Sequence, residues 1–344
     1  MEPEAALPDG VAFRSGTAAD WPLLAQLFNE DHRGNGIDER ESADNLAGMF
    51  EADPKFAMDR DVRIAEAHGE AVGFSLGRVR ERDQTLVGET WGAVVPAWRR
   101  RGIGSALLRR AIAALEPLME DDPRPWPREL RNWADDVETG TIALYRSAGY
   151  LPIRYGFAMR RPLSGQLPEH PLPAGLELRP ATERQSRAIF EAEAEAFRDH
   201  WGHEEPTDAL FASWYSDPEL DPSLWEVAWD GDEIAGVVLG MIRTRENEEL
   251  GVRRGWLDRV SVRRPWRGRG LAKALCAASF RALRERGMDE AWLGVDGTNP
   301  TGALQLYEGL GFHVARRWTV YGRPLDRPAP QGWRSAGDRG TMGP

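Results

Sequence analysis

The chain is 344 residues long and carries 44 basic against 55 acidic residues, for a net charge of −11, with one cysteine. That length suits about two domains, each large enough to bury a core unaided, and the acidic balance disfavours a nucleic-acid partner, whose phosphates need surplus Lys and Arg. A lone Cys276 excludes an internal disulfide framework, no C-x-x-C spacing occurs, and neither Met1-Glu2-Pro3-Glu4 nor any apolar run meets the needs of a signal peptide or membrane span. The expectation is a soluble, cytoplasmic protein with no metal and no membrane partner.

In chain order, Leu7-Pro8-Asp9-Gly10 precedes a strand and a helix. A β-branched, strand-like stretch then runs through Val94-Val95-Pro96-Ala97-Trp98-Arg99-Arg100-Arg101-Gly102-Ile103-Gly104 into an apolar helix. A proline-rich turn over 121–127 comes before the fifth strand, and a Pro-, Gly- and Ser-rich linker is expected from Pro162 to Pro173. In the second half Leu176–Arg179 alternates as a strand, Glu183–Phe197 has helical spacing, 198–206 breaks it, and a short helix spans Thr207–Trp214. Trp225–Trp229 and Glu233–Leu239 flank Asp230-Gly231-Asp232, a hairpin signal. A strand over Trp256–Val262 enters Arg263-Arg264-Pro265-Trp266-Arg267-Gly268-Arg269-Gly270-Leu271-Ala272. Leu271, Leu275, Ala278 and Ala282 then mark one face of a helix that Gly287 ends. A strand over Ala291–Val295, a helix over Thr301–Glu308 and a strand over Val314–Tyr321 complete the half, and the tail has little to bury.

The two halves repeat one another. Leu7–Gly10 matches Leu172-Pro173-Ala174-Gly175, Gly73 matches Gly236, Arg99 matches Arg267, and Leu144–Tyr150 matches Leu306–Phe312, all at offsets of 162 to 168 residues. Solenoid repeats run only about 20–50 residues, so these are two whole domains. The expected division is 8–163, 174–325 and a mobile tail over 326–344, in an α/β fold with a mixed sheet of α+β character. Each basic, glycine-bearing loop opens a helix whose unpaired N–H groups and positive dipole end suit a phosphate-bearing ligand. The plainer alternative is a turn that uses glycine for backbone freedom alone.

The element order and these loops resemble the GNAT superfamily of acyltransferases, duplicated in tandem in an arrangement similar to that of mycothiol synthase and its relatives, from about Val11 to Leu325. The family's Arg/Gln-x-x-Gly-x-Gly/Ala loop is matched by Arg99-x-x-Gly102-x-Gly104 and Arg267-x-x-Gly270-x-Ala272. The resemblance implies that Arg99, Arg100, Arg101, Gly102, Ile103 and Gly104, beside Val94, and Arg267, Gly268, Arg269, Gly270, Leu271 and Ala272 hold the diphosphate of acetyl-CoA, the co-substrate. It implies further that Val260, Ser261 and Val262 pair with the pantetheine amides. Asn299-x-x-x-Ala303-x-x-x-Tyr307-x-x-x-Gly311-Phe312 is a second match, which implies that Tyr307 protonates the leaving thiolate while Asn299 sets the cofactor arm. A phenol titrating at about 10 is a reasonable donor to a thiolate; an ordinary packing aromatic is the alternative.

Attack on a thioester needs a free amine and therefore a base. Period-two alternation puts Asp258 on the strand face of Val260 and Val262, with a surface carboxylate or a partner of Arg259 or Arg263 as the alternative. Thr90 is read as its counterpart in the first half, and Val137 stands where Asn299 does. Catalysis is therefore expected in the second domain, the first being structural or a degenerate cofactor site. By the same resemblance Asp199, His200 and Trp201 overhang the acceptor cleft, where acidic and aromatic groups suit an amine with an apolar body. His200 and His203 have no third ligand nearby, and mid-helix Cys276 is expected to be buried and inert. The expected activity is direct acetyl transfer from acetyl-CoA to a primary amine of a small molecule. The rival is a non-catalytic acyl-CoA-binding sensor or scaffold; neither loop carries the Gly-x-Gly-x-x-Gly of a dinucleotide oxidoreductase.

Overall fold

A computed structural model describes residues 7–215, 217–298 and 302–325; Asn299 and the tail over 326–344 lie outside the described residues. Its contacts separate two compact units, Met1–Arg154 with Thr319–Pro344, and Tyr155–Trp318.

In the first unit β1 (Val11–Ser15) leads through α1 (Trp21–Asn35), α2 (Ala43–Glu51) and the single-turn α3 (Met58–Asp61) to a meander of β2 (Val62–Ala67), β3 (Glu70–Arg82) and β4 (Thr85–Val94). Then come α4 (Ile103–Glu120), β5 (Arg128–Asp135), α5 (Thr139–Ser147) and β6 (Leu151–Pro162), which passes out of the unit after Arg154. The second unit repeats the order with β7 (Glu177–Pro180), α6 (Ser186–Phe197), α7 (Asp208–Tyr215), β8 (Trp225–Asp230) and β9 (Glu233–Met241). After α8 (Thr244–Leu250) it continues with β10 (Arg254–Val262), α9 (Leu271–Glu285), β11 (Glu290–Asp296), α10 (Ala303–Gly309) and β12 (His313–Pro324).

Within the units the strand orders are β1-β2-β3-β4-β5-β12 and β6-β11-β10-β9-β8-β7. The β4–β5 and β10–β11 pairs are parallel and the meander pairs antiparallel, a mixed sheet of the expected class. The closing strands depart from the repeat. β11 pairs from Glu290↔Pro162 to Asp296↔Gly156, so the end of the first repeat completes the second unit. Thr319–Pro324 of β12 completes the first, where Tyr321 packs with Tyr145 and Tyr150. The contact units thus divide β6 and β12 in mid-strand, whereas limits at 163 and 174 follow the duplication. Alternation marks a segment as a strand but carries no label for the edge it joins.

The long helices pack as their apolar stripes require. Leu271, Leu275 and Ala278 are buried with Cys276, Phe280 and Leu283 of the same helix, and burial pushes the Cys276 thiol up to about 12, leaving it inert. The unexpected element is α8. Its sequence, Thr244-Arg245-Glu246-Asn247-Glu248-Glu249-Leu250, has no apolar period to reveal a helix, and Gly251 ends it at φ 65°. The equivalent connection in the first unit is a two-residue turn with Asp83 and Gln84 at φ 49° and 56°, the geometry of a tight hairpin.

Candidate active site

Each loop lies between the end of a strand and the start of a helix. A single 3-10 turn, Pro96–Trp98 or Arg264–Trp266, separates strand from loop, and a left-handed glycine, Gly102 at φ 82° or Gly270 at φ 86°, opens the helix. Two positions earlier the backbone is again left-handed, at Gly268 (φ 74°) and, without glycine, at Arg100 (φ 62°). Such alternation turns successive N–H groups to one side, forming an anion-binding concavity. The helical ladders begin with Ala106 N–H donating to Gly102 O (3.0 Å) and Ala274 N–H to Gly270 O (3.2 Å), so the N–H groups just ahead of them precede the ladder. A Cβ at Gly268 or Gly270 would meet nothing within 4 Å. The backbone conformation and the room before the loop, rather than crowding, call for glycine, and both suit a diphosphate.

The first arginine of each loop is engaged within the protein. Arg267 donates to Val262 O (2.9 Å), Ala196 O (2.8 Å) and Asp199 Oδ2 (3.3 Å); Arg99 donates to Val94 O (3.1 Å), Asn35 Oδ1 (3.0 Å) and Asp31 Oδ1 (2.7 Å). These side chains therefore brace the loops against the C-terminal ends of α1 and α6. Arg101 stacks over Trp98 at 4.7 Å, and Arg269 donates to Ala174 O (3.3 Å). Ile103 and Leu271 are buried, anchoring the first helical turns.

Asp199 belongs to the same brace. Hydrogen bonds from Arg264 and then Arg267 hold its carboxyl below the usual range. His200 packs against Phe197 at 4.2 Å, as His32 does against Phe28 at 4.0 Å. Asp31-His32 and Asp199-His200 are thus a further repeat anchor, at the offset of Arg99 and Arg267, and serve the same local role. Trp201, the third residue read as overhanging the acceptor, is 37% exposed.

Beyond the loops each unit has a fork between two parallel strands. The β4–β5 pairing covers Leu86–Glu89 and Arg128–Arg131, and the β10–β11 pairing Arg254–Trp256 and Glu290–Trp292; past these residues the strands part. Gly88↔Leu130 and Gly255↔Ala291 are equivalent pairs, since a side chain at either glycine would strike the following helix, at Met119 or Leu283. Two residues on stand Thr90 and Asn132 in the first unit, Leu257 and Leu293 in the second. Three residues on stand Trp91 and Trp133, against Asp258 and Gly294.

The two forks consequently differ. In the first, Asn132 Nδ2 donates to Thr90 Oγ1 (2.6 Å), Thr90 N–H donates to Asn132 Oδ1 (3.3 Å), and the Tyr145 hydroxyl shares a hydrogen bond with the Asn132 side chain. Trp91 and Trp133 stack at 5.9 Å on the other face. In the second, Leu257, Leu293 and Tyr307 share an apolar cluster, and a Cβ at exposed Gly294 would meet nothing within 4 Å.

The strands also differ by one residue. The β3–β4 register runs unbroken from Gly73↔Val94 to Arg82↔Thr85, whereas β9–β10 slips between Leu257↔Gly240 and Arg259↔Leu239, making Asp258 the extra residue of a bulge. This corrects two expectations. Leu257, Val260 and Val262 all pack on the cluster that contains α9, so alternation across the bulge does not put Asp258 on the face of Val260 and Val262. Nor is Thr90 its counterpart: the offset between halves is 167 at Gly88 and Gly255 but 168 at Val94 and Val262, and Asp258 is the insertion. Its side chain is 45% exposed, with Arg259 Nε 3.7 Å away. Tyr307 is buried edge-on to Phe312 at 5.9 Å; burial, then the nearby Cys276, pushes its hydroxyl above the usual phenol range.

Glu193 of α6 is a buried carboxyl that sequence reasoning missed. Its Oε1 is 3.5 Å from Arg259 Nη1, and burial pushes it up to about 7, with Arg259 opposing and Asp258 adding to the shift. A signal was present: Glu191, Glu193 and Glu195 stand two apart, and three such residues cannot share one helix face. Among the described residues no three His, Cys, Asp or Glu side chains gather as a metal site, and no helix is long and apolar enough to cross a membrane.

Each unit thus sets a phosphate-type loop beside a fork between two parallel strands. Residues 186–312 match the Acetyltransferase (GNAT) family and residues 59–152 an Acetyltransferase (GNAT) domain. A mycothiol acetyltransferase of Salinispora arenicola is 36% identical over 319 residues, 91% of this chain and 96% of the relative. The chain belongs to the GNAT family, as a tandem N-acetyltransferase. Similar solved structures include a GCN5-related N-acetyltransferase from Sphaerobacter thermophilus, with a TM-score of 0.71 and 27% identity, covering 93% of this chain and 97% of that one. A tandem GNAT protein from the clavulanic acid biosynthesis pathway shares the fold, with a TM-score of 0.64, 17% identity and coverage of 91% and 98%.

Proposed function

We propose that the chain transfers an acetyl group from acetyl-CoA to the primary amine of a small molecule, in a ternary complex whose reacting centre lies in the second unit. The observation that carries this reading is the contrast between the forks. Stacked Trp91 and Trp133 and the Asn132–Thr90 bonds fill the first, whereas in the second Gly294, with open space before it, stands where Trp133 does, and the bulge adds Asp258, which has no counterpart in the first. The loop from Arg267 to Ala272 supports diphosphate binding through its backbone. Val260, Ser261 and Val262, past the end of the β11 pairing, offer a strand edge to the pantetheine amides, and Asn299 is retained as a contact for the cofactor arm. The name of the Salinispora relative supports a small-molecule acceptor. The first unit keeps the loop but has a filled fork, which favours a structural or non-reacting acyl-CoA-binding role.

Half-exposed Asp258 takes one proton from the acceptor ammonium. The freed nitrogen bonds to the thioester carbonyl carbon, the C–S bond breaks, and the nitrogen sheds a further proton as sulfur gains one. Tyr307, kept protonated by burial, passes its proton to sulfur and is refilled from the nitrogen. Holding both reactants at the fork removes much of the entropic barrier.

Free-thiol release from acetyl-CoA, followed across a panel of small primary amines, is expected to be amine-dependent; binding without release for every amine favours the sensor or scaffold. Tyr307→Phe is expected to lower kcat about 100-fold, the lower range for a general acid, with little change in the KM for acetyl-CoA. An unchanged kcat removes the role given to Tyr307.

A further inference from the structure

The transfer chemistry above leaves the Glu193 carboxyl unused. It lies within α6 with its side chain 4% exposed, where an ionised group is costly unless paired. Its ion pair is loose: Arg259 Nη1 is 3.5 Å away, and Arg259 Nε is 3.7 Å from Asp258 Oδ2, both beyond the ~2.7–2.9 Å of a close charge-assisted bond. The guanidinium is confined by Phe197 at 5.6 Å and Trp214 at 5.1 Å. The bulge brings Asp258 and Arg259 off the regular pleat in succession, so one cation stands between an outer carboxylate at the fork and an inner one in the core.

Other nearby charges are engaged elsewhere. Glu191 of α6 and Asp208 of α7 pair with Arg187, Glu195 pairs with Arg263, and β9 carries no charge from Ile234 to Met241. Arg259, which favours the ionised form, and Asp258, which opposes it, are the charges that act on Glu193.

We infer that Glu193 is the inner member of a two-carboxylate proton relay, a positioning residue that receives through bridging water the proton Asp258 takes from the acceptor ammonium. The balance is simple. The ammonium N–H bond breaks and Asp258 gains the proton; Asp258 returns to carboxylate as Glu193 becomes the acid, and Glu193 later releases the proton to solvent. A carboxyl titrating near 7 is suited to hold a proton briefly at neutral pH.

This inference rests on the acetyl-transfer reading, and the test separates the two. For wild-type protein, kcat/KM for the amine is expected to rise with pH through a limb centred near 7. Glu193→Gln should remove that limb and lower the rate at pH 7 about 10-fold with acetyl-CoA KM unchanged, and Glu193→Asp should restore the limb. A retained limb with wild-type rate overturns the relay while leaving the transfer reading intact; a wild-type protein inactive with every amine overturns the transfer reading itself. A second measurement does not depend on the variant folding: carboxyl-13C titration of glutamate-labelled protein. One glutamate titrating near 7 should move down in Asp258→Asn and up in Arg259→Gln, since these remove the opposing and favouring charges. Glu138, also near 7 through burial but in the first unit, should not move. No glutamate responding to either substitution overturns the inference.

Discussion

Replacing Gly270 by glutamate is expected to abolish acyl-CoA binding in the second unit and to lower turnover about 1,000-fold. Gly270 sits at φ 86°, where an L-residue costs about 1–2 kcal/mol. A carboxylate about 4 Å from a diphosphate charge adds roughly 1 kcal/mol at bulk dielectric and about 4 kcal/mol near a protein surface. Together these reach the ~4 kcal/mol that a thousandfold loss requires. The new Cβ meets no protein atom within 4 Å, so the unit is expected to stay folded, which thermal unfolding checks. Calorimetric binding and steady-state rates read the effect. The same substitution at Gly102 should spare most turnover, because the fork beside that loop is filled. Wild-type stoichiometry and turnover in Gly270→Glu would contradict the loop assignment.

Gly294→Trp should separate binding from chemistry. It gives the second fork the residue that Trp133 provides in the first, and the open space before Gly294 directs the ring into the gap rather than the core. An indole of ~150–250 Å² fills that gap much as the Trp91–Trp133 stack does. Turnover is expected to fall at least about 100-fold, while acetyl-CoA affinity stays within roughly tenfold, since a 1 Å misplacement of reactants alone costs on the order of 100-fold. Trp133→Gly should not awaken the first unit, which lacks the bulge and its Asp258. Full turnover in Gly294→Trp would mean that the acceptor reacts elsewhere.

The duplication, the loops and the element order could be read from the chain because each has a local signature: periodicity, left-handed glycine and charge. The inequality of the halves was legible too, although its physical basis is not Thr90 against Asp258. The telling sign was one extra residue between Gly255 and Arg267 relative to Gly88 and Arg99, which is the bulge. Aligned at the offset of Arg99 and Arg267, Asp31 and His32 make the same local contacts as Asp199 and His200, a repeat that the sequence also carries. What escaped were non-local facts. Nothing in β6 or β12 names the sheet edge it joins, polar α8 has no apolar stripe, and the burial of Glu193 follows from where α6 meets the bulge.

The proposed chemistry requires that the second unit's loop and strand edge hold the thioester donor. Hydrogen exchange with and without a non-hydrolysable thioether analogue of acetyl-CoA tests it most directly. Exchange is expected to slow at the amides of Gly268 to Lys273 and of Val260 to Val262; protection absent there, or confined to Arg100 through Gly104, would contradict donor binding in the second unit.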